Sequence, residues 1–576
     1  MQDCGIHVST RKSPSVRGCP TNRQARGRKR EAMKTMPRPS TVRQVVYAIE
    51  RAMLPSLGGR TVDGTAERPS EAQEERFSEP QPATIEASID TGLITAIRPG
   101  IVPRESYGAD SVEYHLLPAP LIVFPGLVDP HVHLNEPGRT DWEGFETGTN
   151  VFISFLLTII SSHFPCIEIG FIHQKVMIIK ICAVYAFGPP QAAAAGGVTT
   201  LVDMPLNAIP PTTTLANLNE KVRAAEGQCL VDVAFWGGVI PGNQDDLLPL
   251  VKAGVKGFKC FLIDSGVDEF PCVSAEDLEK SMAILQDAES MLMFHGELDC
   301  GEEGGTSAEL LKESQAQDPN LYASFLGSRA PKLELDAIEL IIRLNKKYPN
   351  LRTHVVHLSA ADALPMIREA RATHGLPLTT ETCLHYLTLS TEEIPDGRAE
   401  YKCCPPIRTA MNRDKLWEGL EEGTIDFVVS DHSPCTPELK ETGSLMDAWG
   451  GIGGLGLGLS LLWTEGRKRA VSHLEGRLLK WLCERPASFA SLDGHKGSLA
   501  PGYQCDLCIF DPNLAFQVTK EDLKFKNKIS AYIGKHLSGR VVSTVLATRL
   551  VYDIEHLVSA PVGPSERLGM LLLNRN

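Results

Sequence analysis

The chain has no surplus of positive charge. Its 57 lysines and arginines face 71 aspartates and glutamates, giving a net charge of −14 and an isoelectric point near 5.7. That balance argues against a nucleic-acid partner or an anionic membrane surface. A secretory h-region is also missing. The first forty residues hold ten Lys/Arg against two acids, with a basic run from Arg26 to Arg30 and almost nothing apolar. Such a segment cannot bury enough surface to fold, so residues 1–40 are expected to be a disordered basic leader, with Met33 or Met36 as the true start. The fifteen cysteines are scattered, and reduced thiols in a cytoplasmic protein are expected. "CDLC" at Cys505–Cys508 has no second pair to complete a zinc knuckle and is taken as structural. "GIGGLG" at Gly451 has no strand directly before it and no acidic partner after it. It reads as close packing of a helix rather than a dinucleotide loop.

What is present is ordinary globular material, 43% hydrophobic and 22% charged, long enough for one large barrel and a small domain. From Gly126 onward eight β-rich runs alternate with helical patterns such as "DAIELIIRLNKKY". The runs are "GLVDPHVH", "GVTTLVDMP", "VDVAFWGG", "GVKGFKCFL", "MLMFHGE", "THVVHLS", "PLTTETCLH" and "TIDFVVSDHSP". That alternation predicts an α/β fold, a (β/α)₈ TIM barrel over residues 124–496. Residues 41–123 and 497–560 show two-residue alternation and turn residues instead. They are expected to pair into one small β-sandwich domain, with 561–576 as a C-terminal tail. The polar tract Gly64–Pro82 reads as a surface loop.

His131 and His133 lie i, i+2 on a strand and so project from the same face. His295, His357 and Asp431 each end a different run, where barrel enzymes build their sites. Neutral imidazoles and a carboxylate suit Zn²⁺ or a similar divalent ion. Five such ligands overfill one tetrahedral site, so two ions are expected, with an anion between them to offset their repulsion. Lys259 ends the fourth run. A free lysine, pKa about 10.4, is a poor ligand; carbamylated by CO₂ it becomes an anion with one oxygen for each ion. Lys256, three residues earlier, falls on the opposite face. His385 either supports the site from behind or is a satisfied core histidine.

"GLVDPHVHLNEPG", "GFKCFL", "ETCLHYLTL", "KCCPPIR" and "SDHSPC" resemble the cyclic-amide hydrolases of the amidohydrolase superfamily. "HVHLNEPGRTDWEGFETGT", "DMPLNAIPPTT" and "DAWGGIGGLGLGLSLLWT" look closest to its allantoinase branch. The resemblance spans roughly residues 44–570 apart from one block. It implies a binuclear zinc site in which His131, His133 and Asp431 hold one ion, His295 and His357 the other, and carbamylated Lys259 bridges both. It implies hydrolytic ring opening of allantoin to allantoate in purine catabolism, by a small-molecule enzyme that is commonly a tetramer. Asp431 would take a proton from a water made acidic by the metals and pass it to the leaving ring nitrogen. Dihydroorotases carry arginine two residues after the second histidine, to hold a carboxylate; here that position is Asn135, which suits an uncharged hydantoin ring. Arg139 and Asn207 are further candidate substrate contacts. The alternatives are a hydantoinase, dihydropyrimidinase or dihydroorotase activity, or a non-catalytic dihydropyrimidinase-like scaffold. The scaffold reading conflicts with six ligands of six being present.

The exception is residues 151–191. Their uncharged stretch Val151–Ile167 is 17 residues long, at the short limit for a membrane helix, and Ser-Ser-His and a proline break it. Removing the block joins "GFETGTN" to "AAAAGGVTT", a continuous alanine-rich helix start. Valine codons begin GT and glutamine can be CAG, the two edges of an intron. The block is therefore expected to be a retained intron.

Overall fold

The computed structural model describes residues 44–55, 79–108, 112–149, 192–299, 318–555 and 569–574. The basic leader, most of the polar tract, the 151–191 block and much of the C-terminal tail lie outside the described residues.

The two flanking segments share one sheet. Its strands are β1 (Gln44–Ala52), β2 (Gln81–Ser88), β3 (Ile94–Pro99), β4 (Val112–Leu117) and β5 (Ile122–Pro125) from the first segment. The parallel strands β6 to β14 come next along the chain: β6 (Leu127–Val132), β7 (Val198–Asp203), β8 (Asp232–Phe235), β9 (Gly237–Gly238), β10 (Phe258–Phe261), β11 (Met291–His295), β12 (Arg352–Val355), β13 (Leu378–Cys383) and β14 (Phe427–Val429). The second segment supplies β15 (Leu507–Gln517), β16 (His536–Leu546) and β17 (Arg549–Asp553). The shared sheet runs β17-β16-β15-β5-β1-β2-β3, with β4 also on β1. The join is the antiparallel pair β5–β15, with Pro125 opposite Leu507 and Ile122 opposite Phe510. Every second residue of β1 (Val45, Tyr47, Ile49) and of β2 (Ala83, Ile85, Ala87) enters a small core of its own, together with Leu507 and Ile509, as the period of two requires.

All eight expected runs are parallel strands, in a three-stranded set β6-β7-β8 and a six-stranded set β14-β13-β12-β11-β10-β9. β8 and β9 belong to one run and are separated only by Trp236. A parallel bridge links Val132 to His432, just beyond β14. Helices Leu215–Ala225, Ala275–Leu285, Pro331–Lys347 and Ala410–Glu421 connect successive strands. β6, β7, β10 and β11 are buried at every residue, the pattern of parallel strands covered on both faces. Lys496 ties this part to the shared sheet, its ammonium held by buried Asp232 and, at 2.7 Å, by Asp506.

The two lookalike motifs are structural. A Cβ on Gly451 would sit 2.3 Å from the Ser433 carbonyl oxygen, and one on Gly456 2.4 Å from that of Ala192. These glycines are therefore what allows two backbones to touch. Cys505 and Cys508 are buried free thiols, like the seven other free cysteines among the described residues. Cys272 is disulfide-bonded, so the expectation of uniformly reduced thiols fails there.

Candidate metal centre

All six sequence-predicted ligands line one cavity of about 430 Å³; five lie near, at or just past the C-terminal end of a parallel strand, while Lys259, expected to end its run, is the second of four residues in its strand. His131 stands near the end of β6 and His133 one residue past it. Lys259 is in β10, His295 closes β11, and His357 and Asp431 lie two residues beyond β12 and β14. Parallel register explains the convergence: five strands end on one side and present residues near their ends to the same space.

The donors fall into two groups. Asp431 Oδ1 lies 3.3 Å from His131 Nε2 and 3.6 Å from His133 Nε2. On the other side, His295 Nδ1 and His357 Nε2 are 2.9 Å apart. Ligands about 2.0–2.1 Å from a tetrahedral zinc stand roughly 3.3 Å from each other, so both groups have separations that fit one ion apiece. Protonation fits as well. Burial pushes His133 below its ordinary pKa, His295 to about 4 and His357 well below the usual range, which keeps these rings neutral. Burial opposes the Asp431 carboxylate, but His131 and His133 beside it hold its pKa far below the usual range. Lys259 is 1% exposed, and burial lowers its pKa to about 8. At neutral pH roughly a tenth of such an amine is uncharged, against well under a thousandth for an exposed lysine. The uncharged amine is the form that can attack CO₂. Lys256 lies before β10 and is absent from the cavity wall.

Two carboxylates behind the histidines escaped the sequence reading. Glu381, in β13, accepts from His131 Nδ1 at 2.5 Å, leaving Nε2 free toward Asp431. Glu297 accepts from His295 Nε2 at 2.8 Å. Burial raises both carboxyls, but Glu381 is brought to about 2 chiefly by His131, and Glu297 to about 2 chiefly by Arg329. Carboxylates that orient a ligating imidazole are the usual support of a metal site. "ETCLH" and "HGE" carried the only signal, an acid near a strand end. Asp203 is a third: it accepts from the Leu134 amide at 2.8 Å and pairs with Lys221 Nζ at 2.5 Å, fixing the loop after His133.

His357 and Asp431 have φ of 38° and 44°, and Asn135 and Asn207 have 64° and 67°. The left-handed region costs a non-glycine residue about 1–2 kcal/mol, and such conformations cluster at functional sites.

The remaining candidates divide. Asn207 lines the cavity, its amide 3.2 Å from His133 Nδ1. Arg139 instead pairs with Glu269, donates to the Asn207 carbonyl at 2.8 Å and lies over Trp142. Asn135 is buried, its amide atoms without a partner among the described residues. Neither Arg139 nor Asn135 is on the cavity wall. His385 is buried with both ring nitrogens without a hydrogen-bond partner among the described residues, in a cluster with Cys383 and Asp431.

The chain matches the Amidohydrolase family over residues 122–549. It is 44% identical over 490 residues to the allantoinase of Saccharomyces cerevisiae, an alignment covering 84% of this chain and 95% of that one. It is 47% identical over 355 residues to the mitochondrial allantoinase of Aquarana catesbeiana, covering 61% and 62%. Among solved structures it is similar to L-hydantoinase (dihydropyrimidinase) from Arthrobacter aurescens, with TM-score 0.71 and 25% identity over 92% of this chain and 99% of that one.

Proposed function

Because the chain belongs to the amidohydrolase family, we propose that it is an allantoinase that opens the hydantoin ring of allantoin to allantoate. The observation carrying this is the complete ligand set on one cavity wall, in a chain 44% identical to an allantoinase over nearly that relative's whole length. The proposal takes the parallel strands as a (β/α)₈ barrel and the shared sheet as its β-sandwich. Two Zn²⁺ ions would be held by His131, His133 and Asp431, and by His295 and His357, with carbamylated Lys259 between them.

Bound ions would supply polarisation of an amide carbonyl and an acidified water. Glu381 and Glu297 hold the ring orientations of His131 and His295. The Asp431 carboxylate would take the water's proton as the carbonyl is attacked, then give it to the ring nitrogen as the C–N bond breaks. Its low pKa is that of the resting carboxylate, the form that accepts. Asn135, in place of arginine, leaves no cation at that position to match a dihydroorotate carboxylate. Losing a charge-assisted contact of that kind costs about 1.5–3 kcal/mol.

Among the described residues no helix is long and apolar enough to cross a membrane. The proposal includes a cytoplasmic homo-oligomer; since one relative is named mitochondrial, fractionation decides the compartment. The functional test is a comparison of allantoin, dihydroorotate and hydantoin on the purified protein, with metal content measured alongside. Allantoin should open fastest and dihydroorotate hardly at all. Comparable rates on these two would refute the argument from Asn135, and a metal-free, inactive protein would favour the scaffold.

A further inference from the structure

Arg329 lines the cavity beside His295 yet belongs to no ligand set. It follows the helix Tyr322–Ser328, and its Nη1 donates to Glu297 Oε2 at 2.5 Å. The same Glu297 oxygen accepts from His295 Nε2. Among the described residues that is the only hydrogen bond of the Arg329 side chain, while a guanidinium carries five N–H donors in a planar fork. The side chain is partly exposed, 21% accessible, and lines the cavity, so the donors not held by Glu297 are available to a molecule bound there.

The charge around it selects what those donors can receive. Glu297 is fully buried and already neutralises the guanidinium. Asp264 and Lys402 line the same cavity, and both are close enough to feel Arg329's charge, one with each sign. A substrate carboxylate placed there would meet an arginine whose charge is already matched by Glu297, with the repulsion of Asp264 set against the attraction of Lys402. A neutral carbonyl meets no such repulsion and still gains a hydrogen bond from a charged donor, the stronger class.

We propose that Arg329 is the specificity residue for the substrate's side arm, donating from the guanidinium edge not held by Glu297 to an uncharged ureido carbonyl. This rests on the allantoinase reading. It also adds a reason for excluding carboxylate-bearing rings that does not depend on Asn135. The arrangement anchors the arm through the same carboxylate that orients His295, so ring and arm are positioned against one rigid group.

The test compares kcat/KM on allantoin and on hydantoin, the same ring without the arm, for metal-loaded wild type, R329M and R329K. R329M should lose at least about tenfold more on allantoin than on hydantoin, the loss expected for a hydrogen bond to a charged donor, mainly through KM. R329K keeps the pairing with Glu297 but not the fork, so it should show a smaller loss in the same direction with unchanged metal content. R329K decides the matter if R329M does not fold. Equal losses on both substrates would mean a purely structural role and overturn the assignment alone. Wild type inactive on allantoin but active on hydantoin would overturn the functional reading and this assignment with it.

Discussion

A lysine enclosed by protein reaches its uncharged form near neutral pH far more often than an exposed one, and Lys259 is the case at issue. Its burial and lowered pKa suit carbamylation, so Lys259→Ala should lose most bound metal and recover part of it when short carboxylic acids are added. Lys256→Ala, off the cavity wall, should keep normal metal content. Metal analysis showing two ions per chain in the Lys259 variant would rule out the bridge. At Asp431 the prediction separates chemistry from binding. Asparagine keeps the shape but cannot take a proton, so Asp431→Asn should lose about 10²–10⁴-fold in kcat while losing far less metal. Near-normal turnover would place the base elsewhere. The six candidate ligands stood out because histidine, lysine and aspartate at strand ends are unusual in themselves, and the structure brings all six to one cavity. Glu381 and Glu297 were not, since a carboxylate is common and only its distance to an imidazole gives it a role. Arg139 was legible as a residue but not in its partner, Glu269 being 130 positions away.

Among the elements, the parallel strands were plain in the runs of buried residues, and the position of the last described segment was not. Residues 569–574 lie beside β8: the Val233 amide donates to the Met570 carbonyl at 2.9 Å, and the Leu572 amide to the Val233 carbonyl at 2.8 Å. The Met570 amide donates to buried Asp232 at 2.6 Å. Gly254, with φ of 100°, caps the helix Leu247–Ala253, and a Cβ there would sit 2.3 Å from the Asn574 nitrogen. Removing residues 569–576 strips these partners from the N-terminal half of β8. Each buried polar group left unmet costs about 1–3 kcal/mol. The truncated protein should therefore unfold several degrees lower in a thermal melt, and an unchanged midpoint would show that the segment contributes nothing. No periodicity in six residues marks such a pairing, because it is decided by where this segment returns in space.

On the scale of the whole molecule, the 151–191 block is the main question. On either side of it the short helices Phe145–Thr149 and Ala192–Ala195 pack on each other. Thr149 Oγ1 is buried and accepts from the Leu230 amide at 3.2 Å, as in two ends of one helix start. Protein lacking 151–191 should be soluble, metal-loaded and active, whereas the full chain should be largely insoluble or inactive, because the block adds a large apolar surface. Abundant active protein whose peptides contain the block would overturn the intron reading. The sequence by itself determined the alternation of strand and helix, the residue types gathered in the cavity and the apolar composition of the block, since periodicity, residue chemistry and composition are local properties. Only the tertiary structure decided which carboxylate stands behind which histidine, that Arg329 lines the cavity while Arg139 does not, and where the last described segment lies. Those depend on contacts between residues far apart in the chain, which no local pattern encodes.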